Sequence, residues 1–419
     1  VDHILHSSVM DAVWDTSCGA STSLAPGQQS SKSRLQVLLH HVLQEAARTR
    51  KVPLPVAVRA GGHGGPERSF WRGVLGHLLL VPAWVVPPGL LAGSAVVVGA
   101  AQGGKGLVAL LGLTGLLATG PSNKIRTLLC AAIAVLAATS KRGKTRLCAM
   151  LAAGLMSLMT WMVSVTAPFP RSRFLFDYAS RWAPDYYRKA TLKFVDPEGI
   201  RPGRTFFAFH PHGCLSAGFT INCMFNADFM RTAGAKVHWM IDGSLRHRNP
   251  GFRVMADGYL SEDRELMSCD SATFKKQMGA GHTVSFVPGG FLDAVAFQYG
   301  KDITVLSDRK AFIKLCLQFG YRLHPCYTFG ECDTYTTFTP LRSLRMKIGR
   351  NGVPCLAFFG FPLIPFLPWP SSSIMTYIGR GIDFPTIESP SQAEIDHWHN
   401  LYQTKLRELF DEYKAEAGK

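Results

Sequence analysis

Hydrophobic and polar positions divide the chain into three regions with different patterns. Residues 1–70 are rich in Ser and Gly, and their one amphipathic stretch places Leu35 and Leu38 on one helical face. Residues 71–169 hold long apolar runs, whereas residues 170–419 alternate short apolar runs with helical patterns. The pattern therefore predicts a low-complexity tail, a membrane-embedded helical region and a folded α/β domain.

The middle region predicts membrane-embedded helices. Residues 74–101 carry no Asp, Glu, Lys or Arg and exceed the roughly 20 apolar residues that a bilayer-spanning helix needs. Prolines within this run would kink such a helix. Three further apolar runs lie at residues 106–119, 125–139 and 147–167. Because two of these are short for a span, the number of spans stays open.

The last region predicts a sheet with helices packed against it. Short apolar runs over Thr205–Phe209, Thr283–Val287 and Leu356–Phe359 have strand length and end near Gly or Pro. A helix is predicted over residues 391–414, because Ser391 with a Glu three positions later forms a capping box before an apolar stripe. This alternation of strands and helices is typical of an α/β domain.

The charge of the chain favours contact with a membrane. The 419 residues include 45 Lys and Arg against 29 Asp and Glu, a net charge of +16, and no acidic residue lies between Glu67 and Asp177. Basic residues beside apolar runs suit an anionic membrane surface. Nucleic acid is not expected as a partner, because no basic, aromatic groove or known module is present. Ten cysteines without a C-x-x-C pair predict free thiols in a reducing cytosol.

The residues with the clearest chemistry are two histidines that follow the first predicted strand. His210 and His212 flank one proline and precede Gly213, at the end of the apolar run Thr205–Phe209. Histidine exchanges a proton near neutral pH, so this pair is a candidate catalytic group. From this pattern alone, two structural histidines in the core or a loop are an equal alternative.

Five ordered sequence blocks resemble the diacylglycerol acyltransferase family of the second type, which also includes monoacylglycerol acyltransferases. The resemblance covers roughly residues 170–414. The blocks are His210-Pro-His212-Gly213, Asn249-Pro-Gly-Phe-Arg253 through Ser261-Glu-Asp-Arg264-Glu265, Val287-Pro-Gly289-Gly290-Phe-Leu-Asp293, Arg309-Lys310-Ala-Phe312-Ile-Lys314 through Phe329-Gly330-Glu331, and Tyr377-Ile-Gly379 with Pro390-Ser391.

The resemblance implies a membrane-bound enzyme that moves a fatty acyl group from acyl-CoA to diacylglycerol and makes triacylglycerol. It implies a mixed α/β sheet with flanking helices, as in glycerolipid acyltransferases, after a membrane-embedded segment. Residues 170–419 would be the catalytic domain and would face the cytosol at the endoplasmic reticulum, with the lipid droplet as a second location. Acyl-CoA would be a co-substrate, with no separate cofactor or metal, and diacylglycerol and membrane lipid would be partners. A homo-oligomer stays open.

The family match also assigns roles to residues. His212 would be the general base that takes the proton of the acceptor hydroxyl, and Asp293 the acid that orients it. His210 would be a structural neighbour or a second hydrogen-bond donor. Asp293 stands where the family usually has Glu, and this difference of one methylene bears on the geometry of the pair.

A second group of residues is predicted to bind acyl-CoA. Gly289 and Gly290 follow a strand, so their N–H groups suit an oxyanion or a phosphate, with a plain tight turn as the alternative. Arg264, Arg309, Lys310 and Lys314 are candidates for the phosphates of coenzyme A. For the two lysines, a solvated basic face is an equal alternative.

Three other functions compete with this prediction. A monoacylglycerol or long-chain alcohol (wax ester) acyltransferase would carry the same motifs. A lysophosphatidate-type acyltransferase is disfavoured, because that group carries His-x4-Asp and neither His210 nor His212 has it. A non-enzymatic scaffold with a metal on the two histidines is also disfavoured, because no Cys, Asp or Glu stands at ligand spacing to complete the site.

Overall fold

The computed structural model describes residues 69–81 and 169–419, except residues 260–261, 338 and 351–355. The predicted tail, its amphipathic stretch and the apolar runs at 106–119, 125–139 and 147–167 lie outside the described residues. So does the part of the 74–101 run beyond residue 81.

Ten strands and ten α-helices are found in the described part of the chain. The strands are β1 (Lys189–Phe194), β2 (Thr205–His210), β3 (Val237–Ile241), β4 (Arg264–Ser268), β5 (Thr283–Phe286), β6 (Arg322–Phe329), β7 (Thr336–Thr337), β8 (Phe358–Phe359), β9 (Ser373–Ile378) and β10 (Ile382–Asp383). The helices are α1 (Phe70–Leu80), α2 (Arg173–Trp182), α3 (Ala227–Ala233), α4 (Gly243–Arg248), α5 (Pro250–Val254), α6 (Ser271–Gly279), α7 (Gly290–Ala296), α8 (Ala311–Phe319), α9 (Arg342–Arg350) and α10 (Gln392–Tyr413). Short 3₁₀-helices cover Ala183–Tyr186 and Glu331–Asp333, and π-helices cover Gly218–Met224 and Met255–Tyr259.

The main sheet is mixed, as predicted. Its order is β1-β9-β6-β2-β5-β3-β4, and β10 also pairs with β6. The five strands from β6 to β4 are parallel, whereas β9 runs antiparallel to β6 and β1 runs parallel to β9. The parallel strands therefore bring their C-terminal ends, and the loops that follow them, to one edge of the sheet.

Helices cover both faces of the sheet. The central strand β2 is apolar on both sides, and each side is buried by this packing. All six residues of β2 are buried. On one face Phe207 and Phe209 join a cluster that contains Trp239, and on the other face Phe206 packs against Phe312 of α8. A strand buried on both faces has a continuous apolar run, which is why the sequence shows no alternation here.

The first described helix packs onto the folded domain. Helix α1 contacts α2 and the 3₁₀-helix Ala183–Tyr186, and its Val74 and Leu80 are buried in the same core cluster as β2. This helix lies at the start of the 71–169 region assigned to the membrane. Among the residues that the structure describes, no helix has both the length and the apolar character needed to cross a membrane.

The last helix has the start that its sequence predicted. The Ser391 hydroxyl accepts from the Glu394 N–H, and the Glu394 carboxylate accepts from the Ser391 N–H, which completes the capping box. The helix then runs to Tyr413 and buries Tyr402 and Leu406 against the second core cluster. Through Tyr402, α10 reaches the ends of the parallel strands.

Candidate active site

Three of the sequence blocks meet at the C-terminal edge of the parallel strands. His210 is the last residue of β2, and His212 follows it directly. Val287–Gly290 follows β5 on one side of β2, and Glu331 follows β6 on the other. Because β5, β2 and β6 are adjacent and parallel, the blocks that are far apart in sequence lie side by side.

A chain of hydrogen bonds joins both histidine positions to Asp293. Tyr402 donates its O–H to Nε2 of His210 (2.6 Å), and Nδ1 of His210 lies 3.1 Å from the Thr304 hydroxyl. Thr304 donates to Oδ2 of Asp293 (3.1 Å), and the same oxygen accepts from the His212 N–H (3.1 Å). The single hydrogen of Thr304 goes to Asp293, so the Thr304 oxygen accepts from His210. This fixes the tautomer of His210 with its proton on Nδ1.

His210 lies in the interior of the domain. Its side chain is fully buried, and both ring nitrogens are hydrogen-bonded. Burial lowers its pKa to about 3, so the ring is neutral at physiological pH. The role of His210 as a structural neighbour stays a prediction, and its ring contacts Thr304 and Tyr402.

The ring of His212 lies on the loop that follows β2. Its Nδ1 lies 3.1 Å from the carbonyl oxygen of Gly213. A carbonyl only accepts, so Nδ1 carries the hydrogen and Nε2 keeps a lone pair. Burial lowers the pKa of the ring to about 4, although hydrogen bonding to the Gly213 backbone opposes this shift. The ring is therefore neutral at pH 7, and burial also makes it a weaker base than a free imidazole.

Asp293 holds the backbone of the histidine segment. Its carboxylate accepts from the N–H of His212 (3.1 Å), from the N–H of Val305 (2.5 Å) and from Thr304. Burial raises its pKa to about 6, and these donors together with the charge of Arg309 oppose the shift. The sequence-based role was to orient the ring of His212, but the carboxylate contacts the backbone N–H of His212, and Nδ1 of the ring lies against the Gly213 carbonyl instead.

The two glycines before Asp293 have different surroundings from those predicted. The N–H of Gly290 is donated to the Val287 carbonyl (3.1 Å), so it is already used within a turn and is not open to an oxyanion. A side chain at Gly289 would overlap the carboxylate of Asp293. Gly289 is therefore needed for the close approach of that carboxylate, and the tight-turn alternative describes this segment better.

Glu331 is a site residue that the sequence-based assignment did not include. Its buried carboxylate accepts from the N–H groups of Ala217 and Gly218, at 2.9 and 2.8 Å, where the π-helix after the histidines begins. Burial raises its pKa to about 7. The only sequence signal was its position at the end of the longest family block. Thr304 and Tyr402 gave no signal of their own.

Of the four basic residues predicted to bind coenzyme A, Arg309 is the one placed beside Asp293. Its charge lowers the pKa of Asp293, and its buried Nε has no hydrogen-bond partner in the described part of the chain. Lys310 instead pairs with Asp396 of α10 at 2.8 Å. Lys314 is exposed on α8, as in the alternative of a solvated basic face. The structure therefore separates the three cations of this block.

Arg264 lies at the other end of the sheet. It is the first residue of β4, where its register partner is Val237, the first residue of β3. Its buried guanidinium bonds Asp263 (2.8 Å) and lies over the ring of Phe176, 4.8 Å from the centroid. Since the histidines follow the opposite ends of the strands, the structure does not bring Arg264 to them, and its role here is in packing.

An apolar cleft lies next to the histidine segment. It is bounded by α1, by the chain after Gly213 and by the π-helix Gly218–Met224. Its lining includes His77, Leu80, Tyr187, Leu215, Ile221 and Phe225. Leu215 follows His212 by three residues, so the cleft and the base share one loop. Its lining is mainly apolar.

His210 and His212 do not belong to a cluster of metal-ligand residues in the described part of the chain. In the residues that the structure covers, no group of three or more His, Cys, Asp or Glu is arranged to hold a metal ion. Both ring nitrogens of His210 are hydrogen-bonded, which leaves none to coordinate a metal.

The comparisons with known proteins agree with these blocks. The family model described as diacylglycerol acyltransferase matches residues 148–419. Diacylglycerol O-acyltransferase 2 of Dictyostelium discoideum is 34% identical over 250 residues, which are 56% of this chain and 72% of that protein. The protein of the same name from Xenopus laevis is 29% identical over 62% of this chain and 75% of its own length.

A relative with a different acceptor in its name is similar to the same extent. Acyl-CoA wax alcohol acyltransferase 1 of Homo sapiens is 29% identical over 56% of this chain and 73% of its own length. No solved structure matches the chain. The family match covers well over half of the chain and includes every block that predicted it, so the protein belongs to the diacylglycerol acyltransferase family.

Proposed function

We propose that the protein transfers a fatty acyl group from acyl-CoA to diacylglycerol and makes triacylglycerol. The observation that carries this proposal is the neutral His212, with a lone pair at Nε2, on the loop that also lines an apolar cleft. The family and the names of its relatives supply the substrates. A histidine on a loop that lines an apolar cleft suits an acceptor with apolar character.

The reaction needs one proton to move and one bond to be exchanged. Nε2 of His212 takes the proton of the glyceride hydroxyl while the hydroxyl oxygen attacks the thioester carbonyl carbon. The new C–O ester bond forms, the C–S bond breaks, and the coenzyme A sulfur receives the proton from the imidazolium. Histidine suits this cycle because its neutral form takes a proton and its charged form returns it.

The residues around His212 keep its ring and its main chain in position. The Gly213 carbonyl holds the hydrogen on Nδ1, and Asp293 holds the His212 N–H. The same carboxylate fixes Thr304 and, through it, His210. Catalytic groups have to stay within about 0.5 Å of the productive geometry, so this network contributes to the rate without touching the substrate.

Arg309 is proposed to bind the phosphates of acyl-CoA. Its partly buried guanidinium lies near the site, and its Nε has no partner among the described residues. Arginine binds phosphate through two parallel hydrogen bonds, which lysine does not reproduce. No metal or further cofactor is proposed, because acyl-CoA carries the activated acyl group itself.

We further propose that the protein works at the cytosolic face of the endoplasmic reticulum membrane or of a lipid droplet. Helices α1 and α2 expose Trp71 (63%), Phe174 (73%) and Leu75, with Arg72 and Arg173 exposed beside them. Apolar side chains next to basic ones suit an anionic bilayer surface. Protease added to intact microsomes should cut exposed loops of the 170–419 region; full protection would place that region in the lumen.

One experiment tests both the activity and the acceptor. Membranes that contain the protein receive labelled acyl-CoA with diacylglycerol, monoacylglycerol or a long-chain alcohol. We expect triacylglycerol from diacylglycerol with the highest kcat/KM. A higher value for the long-chain alcohol would favour wax ester synthesis, to which the wax alcohol relative points. No transfer to any of the three would overturn the proposed function.

A further inference from the structure

Glu331 places a buried carboxylate against the loop that carries His212. Its Oε1 accepts from the N–H of Ala217 (2.9 Å), and its Oε2 accepts from the N–H of Gly218 (2.8 Å). These donors stand at the start of the π-helix Gly218–Met224, where backbone N–H groups have no partner within the helix. The carboxylate therefore fixes the start of this helix with both of its oxygens.

The segment between His212 and this helix is short and tightly hydrogen-bonded. The Ser216 N–H and hydroxyl both donate to the His212 carbonyl, each at 3.0 Å, and Ser216 has a φ of 51°. Gly213 also has a positive φ, and its carbonyl accepts from Nδ1 of the His212 ring (3.1 Å). Because so few residues join the ring to the helix, a shift at the helix start moves the main chain that holds the ring.

Glu331 also meets this loop at Gly213. A side chain at Gly213 would overlap Cγ and the carboxylate of Glu331, so the two residues lie in direct contact. The Gly213 carbonyl is the acceptor that keeps the hydrogen of His212 on Nδ1. Asp293 holds the same loop from the side of β5, and Glu331 holds it from the side of β6.

The surroundings of Glu331 allow its carboxyl group to change protonation state near neutral pH. In the described part of the chain, the titratable groups whose pKa responds to Glu331 are Tyr187, Cys214 and Tyr335. Burial raises the pKa of all three well above their ordinary values, so they stay neutral. Burial also raises the pKa of Glu331 to about 7, although its two backbone donors oppose this shift.

The two protonation states of Glu331 hold the loop differently. The ionised carboxylate accepts with both oxygens, so Ala217 and Gly218 each have an acceptor. The protonated group carries a hydrogen on one oxygen, and this O–H faces a backbone N–H, which is also a donor. One of the two bonds is then lost, and a buried N–H without an acceptor is costly enough to shift the backbone.

We propose that Glu331 is a positioning residue for His212, and that its ionised carboxylate holds the loop in the geometry that acyl transfer needs. The inference rests on the proposed function, in which His212 takes the proton of the acceptor. Glu331 acts through the Ala217 and Gly218 N–H groups and is given no contact with the substrate. Acidification through pH 7 should therefore slow transfer while the His212 ring is still neutral, since burial lowers the pKa of that ring to about 4.

The ratio of two kcat values tests this inference. Glu331→Gln imitates the protonated carboxyl group, because its amide has one acceptor oxygen and one donor nitrogen. With saturating acyl-CoA and diacylglycerol, the unsubstituted protein should be faster than Glu331→Gln by about tenfold at pH 8, the scale of one buried hydrogen bond. The two should be about equal at pH 5.5, and the KM for acyl-CoA should differ little at either pH. The titration of Asp293, whose pKa burial raises to about 6, is common to both proteins and cancels in the ratio. A ratio that is constant with pH would overturn the inference.

Asp185→Asn is the matched control. Asp185 is buried and accepts from the backbone N–H of Ser69 (3.2 Å), so this variant also takes a buried carboxylate from a backbone donor, but outside the His212 loop. Its kcat relative to the unsubstituted protein should be the same at pH 5.5 and pH 8. The same pH dependence in Asp185→Asn as in Glu331→Gln would refute a specific role for Glu331.

Amide hydrogen exchange of the full chain without substrate separates this inference from the proposed function. After correction for the intrinsic effect of pH, peptides that cover residues 212–224 should be better protected at pH 8 than at pH 5.5. Glu331→Gln should lose this difference. Equal protection at the two pH values would overturn the inference even where acyl transfer occurs. The expected exchange pattern without any acyl transfer would remove the proposed function and leave the control of the loop by Glu331 in place.

Discussion

Asp293→Asn should leave the buried N–H of Val305 without an acceptor and so disturb the site. Three donors meet the carboxylate: Oδ2 accepts from His212 and Thr304, and Oδ1 accepts from the Val305 N–H. Asn has the same shape but only one acceptor oxygen. The orientation that keeps both Oδ2 bonds turns the amide NH₂ towards Val305, where two donors then face each other.

The magnitude follows from that count. A buried donor left without an acceptor costs about 1–3 kcal/mol. For a domain of this size, 1 kcal/mol lowers Tm by roughly 2–4 °C, so a fall of several degrees is expected. The strain falls on the backbone that carries His212, so we expect kcat to drop at least about tenfold while the KM for acyl-CoA changes little, because the network acts on the reaction step.

Thermal unfolding and steady-state kinetics of the purified protein measure both effects. Asp308→Asn is the matched control. Asp308 is exposed in the loop that also carries Thr304 and Val305, and its replacement removes one charge without changing the hydrogen bonds of Asp293. If Asp293→Asn kept both the Tm and the kcat of the unsubstituted protein, the buried network would have no role in holding His212.

Three further substitutions test the surroundings of this network. Gly289→Ala should abolish transfer, because its side chain overlaps the Asp293 carboxylate, whereas Gly290→Ala meets open space and should cost only about 1–2 kcal/mol for its positive φ; equal kinetic losses would contradict this. Tyr402→Phe leaves Nε2 of His210 without a donor and should cost about 1–3 kcal/mol of unfolding free energy, read from denaturant curves, with kcat within a few-fold; a kcat loss as large as that of Asp293→Asn would show that His210 does more than support. The pKa of Glu331 is raised to about 7, so its contribution to stability is present below its unfolded value and lost as pH rises through 7. Gln does not titrate, so the unfolding free energy of Glu331→Gln should rise relative to that of the unsubstituted protein by about 2.5 kcal/mol between pH 5 and pH 8; a constant difference would contradict the raised pKa.

Local patterns were sufficient to predict much of the fold. The strand over Thr205–Phe209 and the helix that Ser391 caps are found within one or two residues of their predicted bounds. The strand predicted over Leu356–Phe359 is present only as Phe358–Phe359. The antiparallel insertion of β9 between β1 and β6 had no signal, because strand order depends on long-range pairing. The packing of α1 onto the domain could not be predicted either, since the same apolar pattern suits a helix that packs on protein and one that packs on lipid.

The sequence predicted the family and the chemical groups of the site better than their contacts. The family assigned from five ordered blocks is confirmed by the match over residues 148–419. A motif identifies His212 and Asp293, but it does not show that the carboxylate meets the backbone N–H of His212. Arg264 and Lys310 show the same limit. Their positive charge suggested phosphate binding. In the fold, Arg264 packs over the ring of Phe176 and Lys310 pairs with Asp396.

The most direct test of the central claim is the kcat of His212→Ala. Nε2 of His212 is proposed to take the proton of the acceptor hydroxyl, so kcat should fall by a factor of about 100–10,000. The Tm and the KM for acyl-CoA should stay close to those of the unsubstituted protein, since the contact with Asp293 uses the backbone N–H, which Ala retains. A kcat loss of about tenfold or less would contradict the assignment of His212 as the general base.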